Sequence, residues 1–289
     1  MSPVVLQGGA LEPAAGSATV RRHYLDGRFG QMHLRMAGPP AKGANAKRPL
    51  LCFHLSPVSG AIYTGFLGEM GRDRFAVAPD TPGYGASDPP PEPPEIADYA
   101  AAMGEIMDGL GIAEADCVGF HTGSKIALEL ALQRPQAIRH LVLISTPVYT
   151  EQELAQMRAD FAPLELHEDG SHLVDYWRAL LNFRGPGQTL EMIMRYYPDH
   201  MRGGARRHWG HRAAFNYPYP PNLARATQPI LVLNNNDDLQ TFTPRAMPHV
   251  RNGRLVERPD WGHGFLDLHA GEFGRLVREF VDGDEGGNV

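Results

Sequence analysis

Short continuous apolar runs recur along the chain, separated by longer segments in which apolar and polar residues are mixed. Runs of four or five residues lie at 50–54, 75–79, 116–120, 141–144 and 229–233. Strands of this composition are buried on both faces, so helix-length segments between them indicate a parallel sheet covered by helices. Segments 18–25 and 31–37 are predicted to form a hairpin with its turn at Asp26 and Gly27. The last predicted strand is 255–258.

The intervals between these strands have the composition of helices. Predicted helices follow the third strand up to about residue 71 and occupy 95–110, 122–133 and 273–281. The pattern therefore predicts an α/β fold with a mostly parallel eight-stranded sheet and helices on both faces.

One long segment, 147–227, interrupts this alternation after the sixth strand. It is helical by composition, rich in aromatic residues, and holds 5 of the 13 histidines of the chain. A helical insertion at this point would cover the carboxyl ends of the strands, where α/β proteins bind ligands. We predict a single domain over 1–289, with a core of 16–146 and 228–289 and a helical cap at 147–227.

Composition excludes several classes of function. The chain is 43% hydrophobic and 21% charged, with a net charge of −6 and no basic stripe, which argues against nucleic acid as a partner. The longest apolar runs have the length of strands, so no membrane partner is expected. The N-terminal residues lack the basic region of a signal peptide. Cys52 and Cys117 lie in apolar runs, which favours buried thiols and a cytoplasmic location.

The strand-to-helix junction at 119–123 carries the most informative motif. Gly119 and Gly123 lie two residues before and two residues after His121. A nucleophile elbow needs small residues at those positions, because its turn is too sharp for side chains there. The residue at the top of the elbow is therefore a histidine. Ser124 is the nearest serine, and we predict that its hydroxyl caps N–H groups of the following helix.

Other segments lie at predicted strand ends in a matching order. They are a Pro57-containing loop after the third strand, the glycine-rich loop 80–88, a loop ending in Asp237 and Asp238, and His263 between two glycines. Together with the elbow they resemble the α/β-hydrolase family. The resemblance covers nearly the whole chain, apart from the first fifteen or so residues and the interior of the cap. It implies the α/β-hydrolase fold.

The resemblance also implies roles for residues at these strand ends. Aligning Leu239 with the proline of the family makes Asp238 the acid of a catalytic triad, with Asp237 as the alternative. His263 becomes the triad histidine. The backbone N–H groups of Ser56 and Thr122 would form an oxyanion hole.

Several residues have supporting interpretations. His54 is interpreted as a buried, hydrogen-bonded support beneath the oxyanion loop. The position of a glycine in the family is occupied by Leu55, which cannot easily adopt a positive φ. His200, His208 and His211 stand beside arginines in the predicted cap. We interpret them as a solvated face, with anion binding as the alternative.

With a histidine at the elbow, a stable acyl-enzyme ester cannot form, and several functions stay open. His121 and His263 could activate a water for hydrolysis of an ester, lactone or ketone-type substrate by general base catalysis. They could instead perform the proton transfers of a lyase or cofactor-free oxygenase. A third alternative is a binding protein without catalysis. Because the acid and the triad histidine are present, the sequence favours an enzyme.

A metal site formed by His54, His121, His263 and Asp238 is a further alternative. No closely spaced histidine motif supports it, so we predict no metal and no cofactor. The expected partner is a small, partly apolar substrate, and homodimerisation stays open.

Overall fold

Eight strands form one sheet in the computed structural model, which describes residues 16–39 and 46–283. The strands are β1 (Arg21–Gly27), β2 (Gly30–Ala37), β3 (Leu50–Phe53), β4 (Ala76–Pro79), β5 (Ala115–Phe120), β6 (Ile138–Ile144), β7 (Ile230–Asn235) and β8 (Gly253–Arg258). Their order in the sheet is β1-β2-β4-β3-β5-β6-β7-β8. Only β2 pairs antiparallel, with β1 and β4, and the other pairings are parallel. The predicted fold class is confirmed.

Helices connect the strands and cover the sheet. Within the described residues they are α1 (Thr64–Met70), α2 (Ile96–Gly109), α3 (Thr122–Gln133), α4 (Glu151–Asp160), α5 (Ser171–Asn182), α6 (Leu190–Arg202), α7 (Trp209–Asn216), α8 (Tyr219–Leu223), α9 (Phe265–Leu268) and α10 (Ala270–Gly283). No helix in the described ranges is long and apolar enough to cross a membrane.

The continuous apolar runs form strands because both faces of the sheet are buried. Leu51 and Phe53 pack into a cluster with residues of α2 and α3. Leu50 and Cys52 point to the opposite face, into a second cluster with residues of α1 and α10. Alternate residues of one strand thus stabilise two separate helical layers, which is why β3 shows no polar alternation.

The N-terminal hairpin differs in register from the sequence-based prediction. The first strand begins at Arg21 and continues to Gly27, which pairs with Gly30. The turn therefore lies at Arg28 and Phe29 rather than at Asp26 and Gly27. Glu105 on α2 accepts hydrogen bonds from the backbone N–H and the side-chain Nε of Arg28, both at 2.8 Å. This tertiary contact at the turn could not be recognised from local turn composition.

Residues 147–227, here called the helical insertion, contain α4 to α8 and lie between β6 and β7. The insertion contacts the loops that follow the strands. The Tyr84 hydroxyl donates to the carbonyl oxygen of Arg207 at 3.1 Å, and the Tyr196 hydroxyl donates to the carboxylate of Asp267 at 3.0 Å. These contacts place the insertion at the carboxyl ends of β4 and β8.

Candidate active site

The junction of β5 and α3 forms a sharp turn with His121 at its top. His121 has φ 50° and ψ −110°, a conformation that costs free energy for a residue other than glycine. A Cβ atom on Gly119 would lie 2.3 Å from the carbonyl oxygen of Gly123. A Cβ atom on Gly123 would lie 2.0 Å from the carbonyl oxygen of Phe53. The two glycines therefore allow the close approach that holds His121 in its strained conformation.

Ser124 lies beneath the turn and does not reach the pocket. Its side chain is fully buried, and its hydroxyl donates to the carbonyl oxygens of Gly119 at 2.7 Å and Ile144 at 3.1 Å. The prediction that this hydroxyl caps helical N–H groups is wrong. The Ser124 hydroxyl instead connects the ends of β5 and β6. The strand carbonyls there are buried and need hydrogen-bond donors, which this side chain supplies.

The imidazole of His121 contacts Asp237. Its Nε2 atom lies 3.2 Å from Oδ2 of this carboxylate, whose side chain is fully buried. Ser145 donates its hydroxyl to the same oxygen at 2.5 Å, and the backbone N–H of Leu239 donates to Oδ1 at 2.9 Å. Burial raises the pKa of Asp237, but the hydrogen bond with His121 and the charges of His121 and His263 outweigh burial and lower it. Asp237 is thus held as a carboxylate against the elbow.

His263 contacts the other carboxylate of the same loop. Its Nε2 atom lies 2.8 Å from Oδ1 of Asp238. Burial alone raises the pKa of Asp238, but the hydrogen bond with His263 and the charges of both histidines lower it to about 2. Burial lowers the pKa of His263, and the hydrogen bond with Asp238 and the charges of Asp237 and Asp238 raise it above its ordinary value. This pairing follows the alignment that assigned Asp238 as the acid.

The rings of His121 and His263 lie next to one another. Their ring centroids are 5.7 Å apart and the ring planes are inclined by 71°. Asp237 and Asp238 were alternatives for one role in the sequence-based hypothesis, but each contacts a different histidine. Adjacent residues in a turn direct their side chains differently, so a single loop can supply both carboxylates. Ser145, which has φ 45° and binds Asp237, was not recognised from the sequence.

The predicted oxyanion-hole residues lie close to the elbow. Ser56 and Thr122 are both buried. A Cβ atom on Gly123 would lie 2.9 Å from the carbonyl oxygen of His54, so the start of α3 abuts the loop that contains Ser56. The role of these two N–H groups stays a prediction.

His54 uses both ring nitrogens in structural hydrogen bonds. Its Nε2 atom accepts the backbone N–H of Thr81 at 2.8 Å, so Nδ1 donates to the carbonyl oxygen of Leu55 at 2.8 Å. The ring is buried, and burial lowers its pKa. His54 therefore has no lone pair for a metal, and the quartet of ligands that included it is wrong.

Two histidines of the helical insertion also lie near the site. The Tyr176 hydroxyl lies 2.8 Å from Nδ1 of His200, and the ring centroid of His211 lies 4.4 Å from that of Phe161. Burial, followed by the charge of Arg207, lowers the pKa of each histidine to about 3. The interpretation of these two residues as a solvated face is wrong, because they pack among aromatic rings that the sequence could not place.

The donor atoms in the pocket include a set that could hold a metal ion. One atom each from His121, Asp237 and His263 lie within 4.8 Å of one another. Two imidazole nitrogens and a carboxylate oxygen form a ligand set used by zinc and by iron.

A strand–turn–helix elbow that faces an acid–histidine pair, on a mostly parallel eight-stranded sheet, defines the class of α/β hydrolases. The model of the α/β hydrolase fold matches residues 48–270 of the chain. The protein therefore belongs to the α/β-hydrolase fold family and is a hydrolase-like enzyme.

Individual relatives are distant but cover most of the chain. A bifunctional esterase/perhydrolase from Acinetobacter calcoaceticus is 24% identical over 255 residues, which are 81% of this chain and 91% of the relative. The crystal structure of a hydrolase from Pseudomonas aeruginosa PA01 matches with a TM-score of 0.74 at 23% identity. The match covers 90% of this chain and 98% of the hydrolase. A variant of the N-acyl homoserine lactonase AidH in complex with N-hexanoyl homoserine lactone has a TM-score of 0.68 at 26% identity, with coverages of 91% and 99%.

Proposed function

We propose that the protein hydrolyses a small, partly apolar ester, lactone or ketone-type substrate by general acid/base catalysis on two histidines. No serine acyl-enzyme forms in this mechanism. The observation that carries the proposal is the arrangement of His121 and His263, whose rings lie 5.7 Å apart, each with its own carboxylate.

The surroundings of the elbow argue against an ordinary serine mechanism. The elbow presents an imidazole, and the hydroxyl of Ser124 is sealed beneath it. The hydroxyl of Ser145 donates to Asp237 and is held there by a buried carboxylate. With both serine hydroxyls engaged in this way, a water molecule is the nucleophile of the proposed reaction.

The distance between the rings suits a shared water. A group that hydrogen-bonds to two partners has each at about 2.8 Å, so the partners stand up to about 5.6 Å apart. Nitrogen atoms of His121 and His263 lie within 4.8 Å of one another. Each imidazole is also paired with a carboxylate, which stabilises the imidazolium that proton transfer creates.

The reaction then follows from these positions. His121 takes a proton from the water as the water oxygen bonds to the carbonyl carbon, and the N–H groups of Ser56 and Thr122 stabilise the oxyanion. For an ester or lactone, the bond from carbon to the leaving oxygen breaks, and this oxygen takes the proton that His263 carries as an imidazolium at the start of the reaction. The proton on His121 then returns to His263, which restores the starting state.

The aromatic surroundings favour a substrate with an apolar part. Phe120 lies beside the two histidines, with its ring centroid 4.5 Å from that of His121 and 6.5 Å from that of His263. Phe183 of the insertion stands edge-on to His263 at 6.0 Å. Rings of this kind line pockets that bind apolar groups beside a few polar atoms. The esterase and lactonase relatives support ester bonds as the target.

The test compares the wild-type protein with His121→Ser. Both are assayed on aryl esters and lactones and then treated with a fluorophosphonate, and covalent labelling is followed by intact mass. We expect wild-type turnover without labelling, whereas the serine variant should gain one label at position 121. His167→Ala, a change at an exposed histidine on the insertion, is the matched control.

Two results would contradict the proposal. A labelled serine in the wild-type protein would identify a nucleophile. Absence of turnover on the whole panel, with a ligand that still raises Tm, would favour a binding protein.

A further inference from the structure

We propose that His121, Asp237 and His263 form a binding site for one divalent transition-metal ion, such as zinc. Their donor atoms, two imidazole nitrogens and one carboxylate oxygen, lie within 4.8 Å of one another. This inference goes beyond the proposed function and departs from the sequence-based expectation of no metal.

Part of the required geometry is already present. Two ligands of a tetrahedral zinc ion, each at about 2.0–2.1 Å, stand roughly 3.3 Å apart. Nε2 of His121 and Oδ2 of Asp237 are separated by 3.2 Å. His263 is the third ligand, with a donor atom within 4.8 Å of those of the other two residues. The displacement needed is at most about 1.5 Å, the difference between 4.8 Å and that ligand spacing.

The second carboxylate of the loop orients the third ligand. Asp238 accepts the Nε2–H of His263 at 2.8 Å, so the Nδ1 atom of that ring carries the lone pair for the metal. A carboxylate behind a metal-bound histidine is a recurrent feature of zinc sites, where it fixes the tautomer and makes the imidazole a stronger ligand.

The metal-binding carboxylate is itself held in place. Ser145 donates to Oδ2 of Asp237 and the N–H of Leu239 donates to Oδ1, so the side chain is fixed from both ends. The backbone of His121 is set by the elbow, whose sharp turn its two flanking glycines permit. Two of the three ligands are therefore pre-positioned, which reduces the free energy needed to order the site.

A bound cation would take the lone pair that His121 needs as a base and would displace the proton that His263 needs as an acid. Metal binding and metal-free proton transfer use the same side chains. The protein can therefore do only one of the two at a time. Three protein ligands leave one or more positions on the ion for water or another small oxygen ligand.

Zinc binding is measured by competition with a chromophoric chelator, using full-length protein without a histidine tag. Wild type should bind one equivalent of Zn²⁺. His121→Ser removes one ligand but keeps a residue that suits an elbow, so affinity should fall at least 100-fold. Asp238→Asn removes only the carboxylate behind His263, and affinity should fall about 10- to 100-fold. Thermal unfolding without metal checks that both variants are folded.

The matched control is His167→Ala, which removes one ring of an exposed histidine pair whose centroids are 6.1 Å apart. Its zinc affinity should equal that of wild type. The proposal is overturned if wild type binds zinc no more tightly than His121→Ser, or if His167→Ala loses the bound equivalent. Because the readout is binding alone, zinc binding without turnover would leave the site standing while the proposed function fails. Turnover without zinc binding would overturn the metal site and leave the proposed function standing.

Discussion

Two histidine–aspartate pairs of identical chemistry occupy different regions of this protein. His33 in β2 and Asp80, which directly follows β4, lie 2.8 Å apart, with side chains 4% and 1% exposed. His263 and Asp238 are also 2.8 Å apart, but their side chains are 20% and 34% exposed at the pocket. The buried pair connects segments of chain, whereas the exposed pair can meet a substrate or an ion.

Their other partners explain the difference. Asp80 also accepts the backbone N–H groups of Gly60 and Ala86, each at 2.9 Å, and contacts Arg35, so all its interactions are structural. Asp238 has His263 as its side-chain partner, and His263 faces His121. Function therefore depends on what lies beyond the pair rather than on the pair itself.

The largest expected effect concerns the two pocket histidines. His121→Ala and His263→Ala should each lower kcat about 10²- to 10⁴-fold, the range of general acid/base catalysis. The double variant should be little worse than either single variant, because the two residues act as one unit. Steady-state kinetics on an aryl ester measure all three. Strictly multiplicative losses would show that the histidines act independently.

The two carboxylates of the acid loop should have smaller effects. Asp237→Asn and Asp238→Asn remove the charge behind one histidine each while keeping the shape of the side chain. We expect kcat to fall about 10- to 1000-fold in both, since an orienting carboxylate stabilises the imidazolium. If only Asp238→Asn is impaired, the pairing of His121 with Asp237 is structural, like that of His33 with Asp80.

The buried pair should respond in stability rather than in rate. His33→Asn removes the imidazole that contacts Asp80 and leaves a buried carboxylate with fewer partners. The free energy of unfolding should fall by about 1–3 kcal/mol, the cost of an unsatisfied buried group, while kcat of the folded fraction is unchanged. Urea unfolding and a kinetic assay on the same samples measure both. A loss of kcat without loss of stability would show that the buried pair also serves the reaction.

The smallest effect is expected at the insertion. Phe183→Ala removes a ring that stands edge-on to His263. KM for an apolar ester should rise about 3- to 10-fold, because roughly one aromatic contact is lost, while kcat changes little. Leu166→Ala, a change at an exposed residue of the insertion, serves as the control. Equal values of KM in the two variants would show that Phe183 does not line the substrate pocket.

The succession of strands along the chain, the elbow and the histidine at its top could all be predicted from the sequence. These features are local, since apolar runs define buried strands and two glycines at fixed spacing permit one sharp turn. The assignment of Asp238 and His263 depended on the resemblance to the family, which their positions in loops directly after strands made possible.

Which side chains meet depends on the tertiary structure. His121 and Asp237 are 116 residues apart, and their contact depends on the parallel pairing of β5, β6 and β7, which brings their strand ends together. Ser145 enters the site because β6 lies between the other two strands. Sequence spacing carries no information on the direction of two adjacent carboxylates in a turn. The packing around that turn directs Asp237 towards the elbow and Asp238 towards His263.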